Sequence, residues 1–150
     1  MFKAANTAAG SIRRREVERS MAVDRQRILR YRRQSFQYLD SAFDEMRRGG
    51  WSRTEDFLWG SLTLAVKGVA LSRGEQVDGQ EAVREYATQL GQEHRDRRIR
   101  EAFAQLNTFA DWVERVRELR YRVDRLVPVL EDISSAVERL WEMVPRDDPD

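Results

Sequence analysis

Apolar positions recur along this chain at helical spacing, and in one stretch the polar positions between them almost vanish. The fifteen residues from Phe57 to Leu71 (FLWGSLTLAVKGVAL) carry a single charge, Lys67. Leu58, Leu62, Ala65, Val66 and Val69 fall at i, i+4, i+7, i+8 and i+11, the spacing of one helical face. The other side (Phe57, Ser61, Leu64, Gly68, Leu71) is small or apolar too, so the pattern predicts a helix covered all round. It is shorter than the roughly twenty residues that cross a bilayer. It is therefore expected at the centre of a soluble helical bundle.

The flanking pattern supplies the covering helices. A first long helix is expected from about Val23 to Arg48, with Ile28, Tyr31, Ser35, Leu39, Ala42 and Met46 on one stripe. Gly49-Gly50 ends it, because glycine readily takes the left-handed cap. Ser52 and Glu55 have the spacing of a capping box, which sets the start of the central helix near Arg53. Arg73-Gly74 closes that helix in the same way. Asp78 is the expected N-cap of a third helix, about Gln80 to Leu90, which Gly91 would end. His94 to Arg98 (HRDRR) reads as a polar connector, with Asp96 capping a fourth helix through Ile99, Phe103, Leu106, Ala110 and Val113. Pro128 belongs in the first turn of a fifth helix or at a kink, and Leu130, Ile133, Val137, Leu140 and Val144 continue from it. No segment alternates with period two. The expected fold is all-α: a single antiparallel bundle of about five helices over residues 20–145, with a flexible basic arm at 1–19 and an acidic tail at 146–150.

Composition narrows the chemistry. The 150 residues contain no cysteine and one histidine, His94, which excludes a disulfide framework and any two-histidine metal centre within one chain. There is no Gly-rich phosphate loop, no H-E-x-x-H and no nucleophile elbow, so no cofactor, metal or catalytic residue is assigned. No secretory h-region is seen, and the expected location is cytoplasmic, without a membrane. Formal net charge is only +1, but it is unevenly spread. Residues 1–33 hold ten Lys or Arg against Glu16, Glu18 and Asp24, and residues 128–150 hold seven acids against Arg139 and Arg146. Basic segments of this kind meet nucleic acid or an acidic surface.

Candidate site residues follow from charge in unusual places. Lys67 lies deep in the apolar helix, where an ammonium must snorkel to the surface, pair with an acid such as Asp111 or Glu114, or face a cleft. His94, Arg95, Arg97 and Arg98 form the densest basic cluster outside the first 33 residues. Arg25, Arg32 and Arg33 fall near one side of the first helix, away from its apolar stripe. Arginine suits phosphate because its planar fork bonds two oxygens at once. Glu55-Asp56 reads as first-turn charge favoured by the helix dipole. Trp59, Trp112 and Trp141 lie on or beside apolar stripes and are expected in the core or an interface.

From Met46 to Gly74 the chain also resembles a known family. A long helix ends in Arg48-Gly49-Gly50-Trp51, followed by Glu55, Leu58-Trp59-Gly60, Leu64-Ala65-Val66-Lys67 and a stop at Arg73-Gly74. This run resembles the helix pair of the HEPN superfamily, and most of all its archaeal PaREP-type branch. Arg100 to Trp112 (REAFAQLNTFADW) is similar to that family's next long helix. The resemblance implies four or five packed helices, a homodimer, and association with nucleotide or RNA. Many HEPN proteins are ribonucleases that use an Arg followed by four to six residues and a His. Here the nearest Arg before His94 in the 84–93 stretch is Arg84, with nine residues between, so the catalytic motif does not carry over. The expected function is a non-catalytic HEPN-like protein that binds nucleotide or RNA, or a protein partner that does. A structural or regulatory interaction module is the second reading, and a toxin–antitoxin ribonuclease the third.

Overall fold

The computed structural model describes residues 2–119 and 126–145, with side chains over 13–114 and 126–145. Six helices and no strand occur among them: α1 (Phe2–Arg47), α2 (Trp51–Ser72), α3 (Gln80–Glu93), α4 (Arg97–Arg100), α5 (Ala102–Leu119) and α6 (Leu126–Glu142). The protein is an all-α bundle. No helix among the described residues is long and apolar enough to cross a membrane.

α2 is the hub. α1 runs antiparallel beside it, while α3, α5 and α6 pack on its other sides. Leu58, Leu62, Ala65, Val66 and Val69 are fully buried and meet Leu90, Ile99, Leu106, Phe109, Ile133, Val137 and Leu140 in one continuous core. α2 is not covered all round, however. Gly60, Thr63, Leu64, Lys67 and Leu71 form a half-buried side. Gly68 lies on the buried side, under the ring of Trp141, where a Cβ would come within 2.3 Å of the ring.

The α1–α2 seam is held by a small polar node inside the core. Ser35 Oγ donates to the Ser61 carbonyl at 2.8 Å, and Ser61 Oγ donates to the Ser35 carbonyl at 2.8 Å. Trp141 Nε1 from α6 donates to Ser35 Oγ at 3.0 Å. One buried node therefore ties three helices together. The small side chains let the two backbones approach, and the Tyr38 ring packs against Gly60 on the same seam, where a Cβ would come within 2.8 Å of it.

Several helix ends depart from the sequence pattern. α1 begins at Phe2 rather than near Val23, so residues 2–19, expected as an arm, continue the helix. α2 starts at Trp51, with Gly50 as N-cap and no side-chain cap. Ser52 therefore lies inside the first turn rather than at the N-cap, because Gly49 (φ 79°) turns the chain so that α2 resumes at once. α3 begins after Gly79 rather than being capped by Asp78, and it runs past Gly91 to Glu93. Gly91 is needed there for contact instead: a Cβ would lie 2.5 Å from the backbone nitrogen of Arg100. The turn that ends α3 is made by Arg95, at φ 50°. Asp96 caps the next helix as expected, accepting from the backbone N–H groups of Arg98 and Ile99. That helix is one turn, α4, before α5. Pro128 sits in the first turn of α6. The tail at 146–150 lies outside the described residues.

Candidate functional site

The arginines expected at one site are divided by the structure into three settings. α1 and α2 are in antiparallel register with Ser35 opposite Ser61, so α2 ends opposite about residue 24. Upstream of that point α1 has no antiparallel neighbour in α2, and its residues 2–23 extend about 33 Å further. Arg25 lies where the two helices part company, and Arg32 two turns further along α1. They line a groove of about 690 Å³ between α1 and the C-terminal ends of α2 and α6, floored by Ile28, Leu71, Val144 and Pro145. The Arg32 guanidinium also stands over the Phe36 ring, 5.9 Å from its centroid. Arg33 is exposed on the opposite face of α1.

That opposite face carries residues the sequence pattern alone left out. At 100° per residue, Arg15, Arg19, Gln26, Arg30, Arg33 and Gln37 fall on one line of α1. All six are exposed. Asp44 falls on the same line two turns beyond Gln37, and Glu16 and Glu18 neighbour Arg15 and Arg19 in the chain, but among the described residues no acid forms an ion pair with these four arginines. From Arg15 to Arg33 the line spans about 27 Å. With the helix expected to start near Val23, Arg15 and Arg19 belonged to a separate arm and could not be placed in register with Arg30 and Arg33. Only a continuous α1 aligns them.

The 94–98 connector is a different environment. Arg97 Nε meets Glu101 at 3.1 Å, and Arg98 Nε lies 3.9 Å from Asp132 on α6. Asp96 accepts from Arg139 as well as capping α4. Burial alone would raise the Asp96 carboxyl, but the Arg139 guanidinium and the backbone N–H groups of Ile99 and Arg98 outweigh it and hold the pKa below the ordinary value. His94 is exposed, with Nε2 3.3 Å from the Arg73 guanidinium, and Arg73 pairs with Glu93 at 3.0 Å. His94 and Arg98 share a shallow polar cleft with Asp96, Glu138, Arg139 and Glu142. Its charge is mixed. Arg95 is exposed and serves the turn through its backbone.

Lys67 is half-buried on α2 and lines neither the groove nor the cleft. The structure does not bring it together with His94. The tryptophans divide as well. Trp141 is buried, whereas Trp59 packs on Phe103 at 5.4 Å under the Arg84 guanidinium. Trp112 is half-buried against the core. Glu55 is pushed above the usual carboxylate range, mainly by burial and further by Asp56, with its hydrogen bond to Trp59 opposing the shift. No group of three or more acids, His or Cys among the described residues could hold a metal ion.

What this arrangement can do is bind. Four arginines on one exposed line, none of them in an ion pair among the described residues, offer forked donors to an extended anion. The mixed-charge cleft offers no comparable field. No family model matches the sequence, and neither a curated protein nor a solved structure matches it.

Proposed function

We propose that this chain is a non-catalytic, HEPN-like helical protein that binds RNA or nucleotide as a homodimer, with the exposed arginine line of α1 as its main phosphate contact. The observation that carries this reading is the exposed row of Arg15, Arg19, Arg30 and Arg33, none of which forms an ion pair among the described residues. Desolvating a paired arginine costs the pair it leaves, whereas an exposed arginine outside any ion pair exchanges water for phosphate oxygens and releases condensed counterions. Arg97 and Arg98 are engaged with Glu101 and Asp132 and so contribute less. Exposed pairs of that kind are worth only about 0–1 kcal/mol, so these two can still be diverted to a long ligand. The reading as a non-enzyme follows from His94, whose polar neighbours are Arg73 and the mixed-charge cleft, with no spaced Arg to act beside it.

The test is a titration of labelled single-stranded RNA at several salt concentrations. Four phosphate contacts predict a log–log slope of about −3, at roughly −0.7 per contact for a single strand. Arg30→Glu with Arg33→Glu should weaken binding well beyond the effect of Arg97→Glu with Arg98→Glu, with thermal melts close to wild type. The RNA should be recovered intact. Absence of binding to RNA and nucleotide at low salt would overturn the reading. It would also favour the second one, a protein-interaction module, whose support is the exposed apolar side chains Val17 and Met21 on α1.

A further inference from the structure

The arginine row of α1 has a shape as well as a charge. Arg15 and Arg19 form one pair and Arg30 and Arg33 another, on one continuous helix. The centres of the two pairs lie about 22 Å apart along it. Gln26 falls on the same line between them and is exposed. Asp44, beyond the second pair, repels phosphate and sets the end of the usable row. The two pairs are not equal. Glu18 stands three residues after Arg15 and Glu16 three before Arg19, the spacing at which helical side chains are neighbours. Arg30 and Arg33 have no acid three or four residues away on either side. The second pair therefore presents the stronger field.

A flexible single strand and a rigid duplex ask different things of such a surface. Proteins that hold single strands add aromatic side chains on which the bases stack. Here no aromatic among the described residues is exposed, and on α1 Tyr31, Phe36 and Phe43 pack against the core. A single strand ordered along this helix would lose freedom with no stacking to offset it. A duplex arrives already ordered, and its two backbones double the phosphate charge per unit length. Two arginine pairs separated by a neutral gap match two backbones separated by a groove. In A-form RNA the minor groove is wide and shallow and displays the 2′-hydroxyls along with the base edges. A glutamine amide both donates and accepts, as a 2′-hydroxyl does, and Gln26 occupies the gap.

We infer that the α1 row reads double-stranded RNA by shape, with the Arg15–Arg19 pair on one backbone, the Arg30–Arg33 pair on the other, and Gln26 on the 2′-hydroxyls of the minor groove between them. This rests on the phosphate-binding reading above and names its ligand. The experiment is fluorescence anisotropy on the full chain with three probes of one sequence: an RNA duplex, its single strand, and the DNA duplex. A length of about 20 base pairs exceeds the roughly 16 that a duplex-reading domain spans. The RNA duplex should bind roughly tenfold or more tighter than the single strand. Arg30→Ala and Arg33→Ala should each reduce the log–log salt slope by about one, and each should weaken the duplex more than Arg15→Ala or Arg19→Ala. Gln26→Ala should weaken the RNA duplex roughly 2–10-fold, the range of one ordinary hydrogen bond, and leave the DNA duplex unchanged. Thermal melts show that each variant is folded. A single strand bound as tightly as the duplex, or RNA and DNA duplexes bound alike, would overturn the inference and leave the row standing as a phosphate contact. No binding of the RNA duplex at low salt would overturn it too, and if the single strand and nucleotide are also unbound, the reading above falls with it.

Discussion

Ser35 shows how much of this fold can hang on one hydroxyl. It accepts the Trp141 indole N–H and donates to the Ser61 carbonyl, all out of water. Replacing it with alanine would strand a buried indole donor, a loss of about 1–3 kcal/mol, whereas an ordinary hydrogen bond nets about 0.5–1.5 kcal/mol. Ser61→Ala removes a hydroxyl but leaves Trp141 bonded to Ser35. Chemical denaturation should therefore rank Ser35→Ala as clearly more destabilising than Ser61→Ala. Equal costs would mean that the node works only through close helix approach. Nothing in the sequence pattern singles out Ser35: it reads as a small residue on an apolar stripe. Its role depends on α6 returning a tryptophan from 106 residues away.

At the scale of the element, α2 was legible almost in full. Leu58, Leu62, Val66 and Val69 are fully buried, as their spacing required. Leu62→Ala should cost about 2–5 kcal/mol, the usual range for truncating a buried leucine, and a melt that does not move would refute this packing. The missed boundaries have a common cause. Capping residues such as Ser52 and Asp78 mark where a helix could start. A positive-φ glycine shifts the start by geometry: Gly49 lets α2 begin before Ser52 is reached, and Gly79 takes the N-cap position of α3 one residue after Asp78. Gly91 was misread for the converse reason, since it permits a close backbone approach inside a helix rather than ending one.

The whole molecule is fastened across its connector by Asp96, which caps α4 and grips Arg139 on α6. Its pKa is depressed in the folded state relative to the ordinary 3.8. The sign follows directly: the stabilisation is complete above the unfolded value and is lost as pH falls from there through the lower folded value. Asp96→Ala should lower the melting temperature at neutral pH, with the cap alone worth about 0.5–2 kcal/mol. The gap from wild type should narrow as pH falls below the ordinary carboxylate value towards the lower folded one, since protonation then silences the wild-type carboxylate. A gap that persists in acid would point to packing rather than charge. Taken as a whole, the chain has a net charge near zero, yet α1 presents a long basic row and the connector a neutralised cleft.

The amino-acid pattern by itself determined the all-α class, the identity of the central helix and most of the core. Burial of apolar residues at a period of 3.6 depends on local order along the chain. It also placed a basic end and a densely charged connector. It could not tell Arg33 from Arg97, because an arginine's availability depends on which carboxylates the fold brings near it: none among the described residues for the first, Glu101 for the second. Nor could it join Arg15 and Arg19 to Arg30 and Arg33. A weakly apolar segment carries no periodic signal of its own, and its register is inherited from the helix that follows it. Only the tertiary structure decided that α1 outruns α2, because that turns on the relative lengths of two neighbours. The surplus length is what leaves Val17 and Met21 in water.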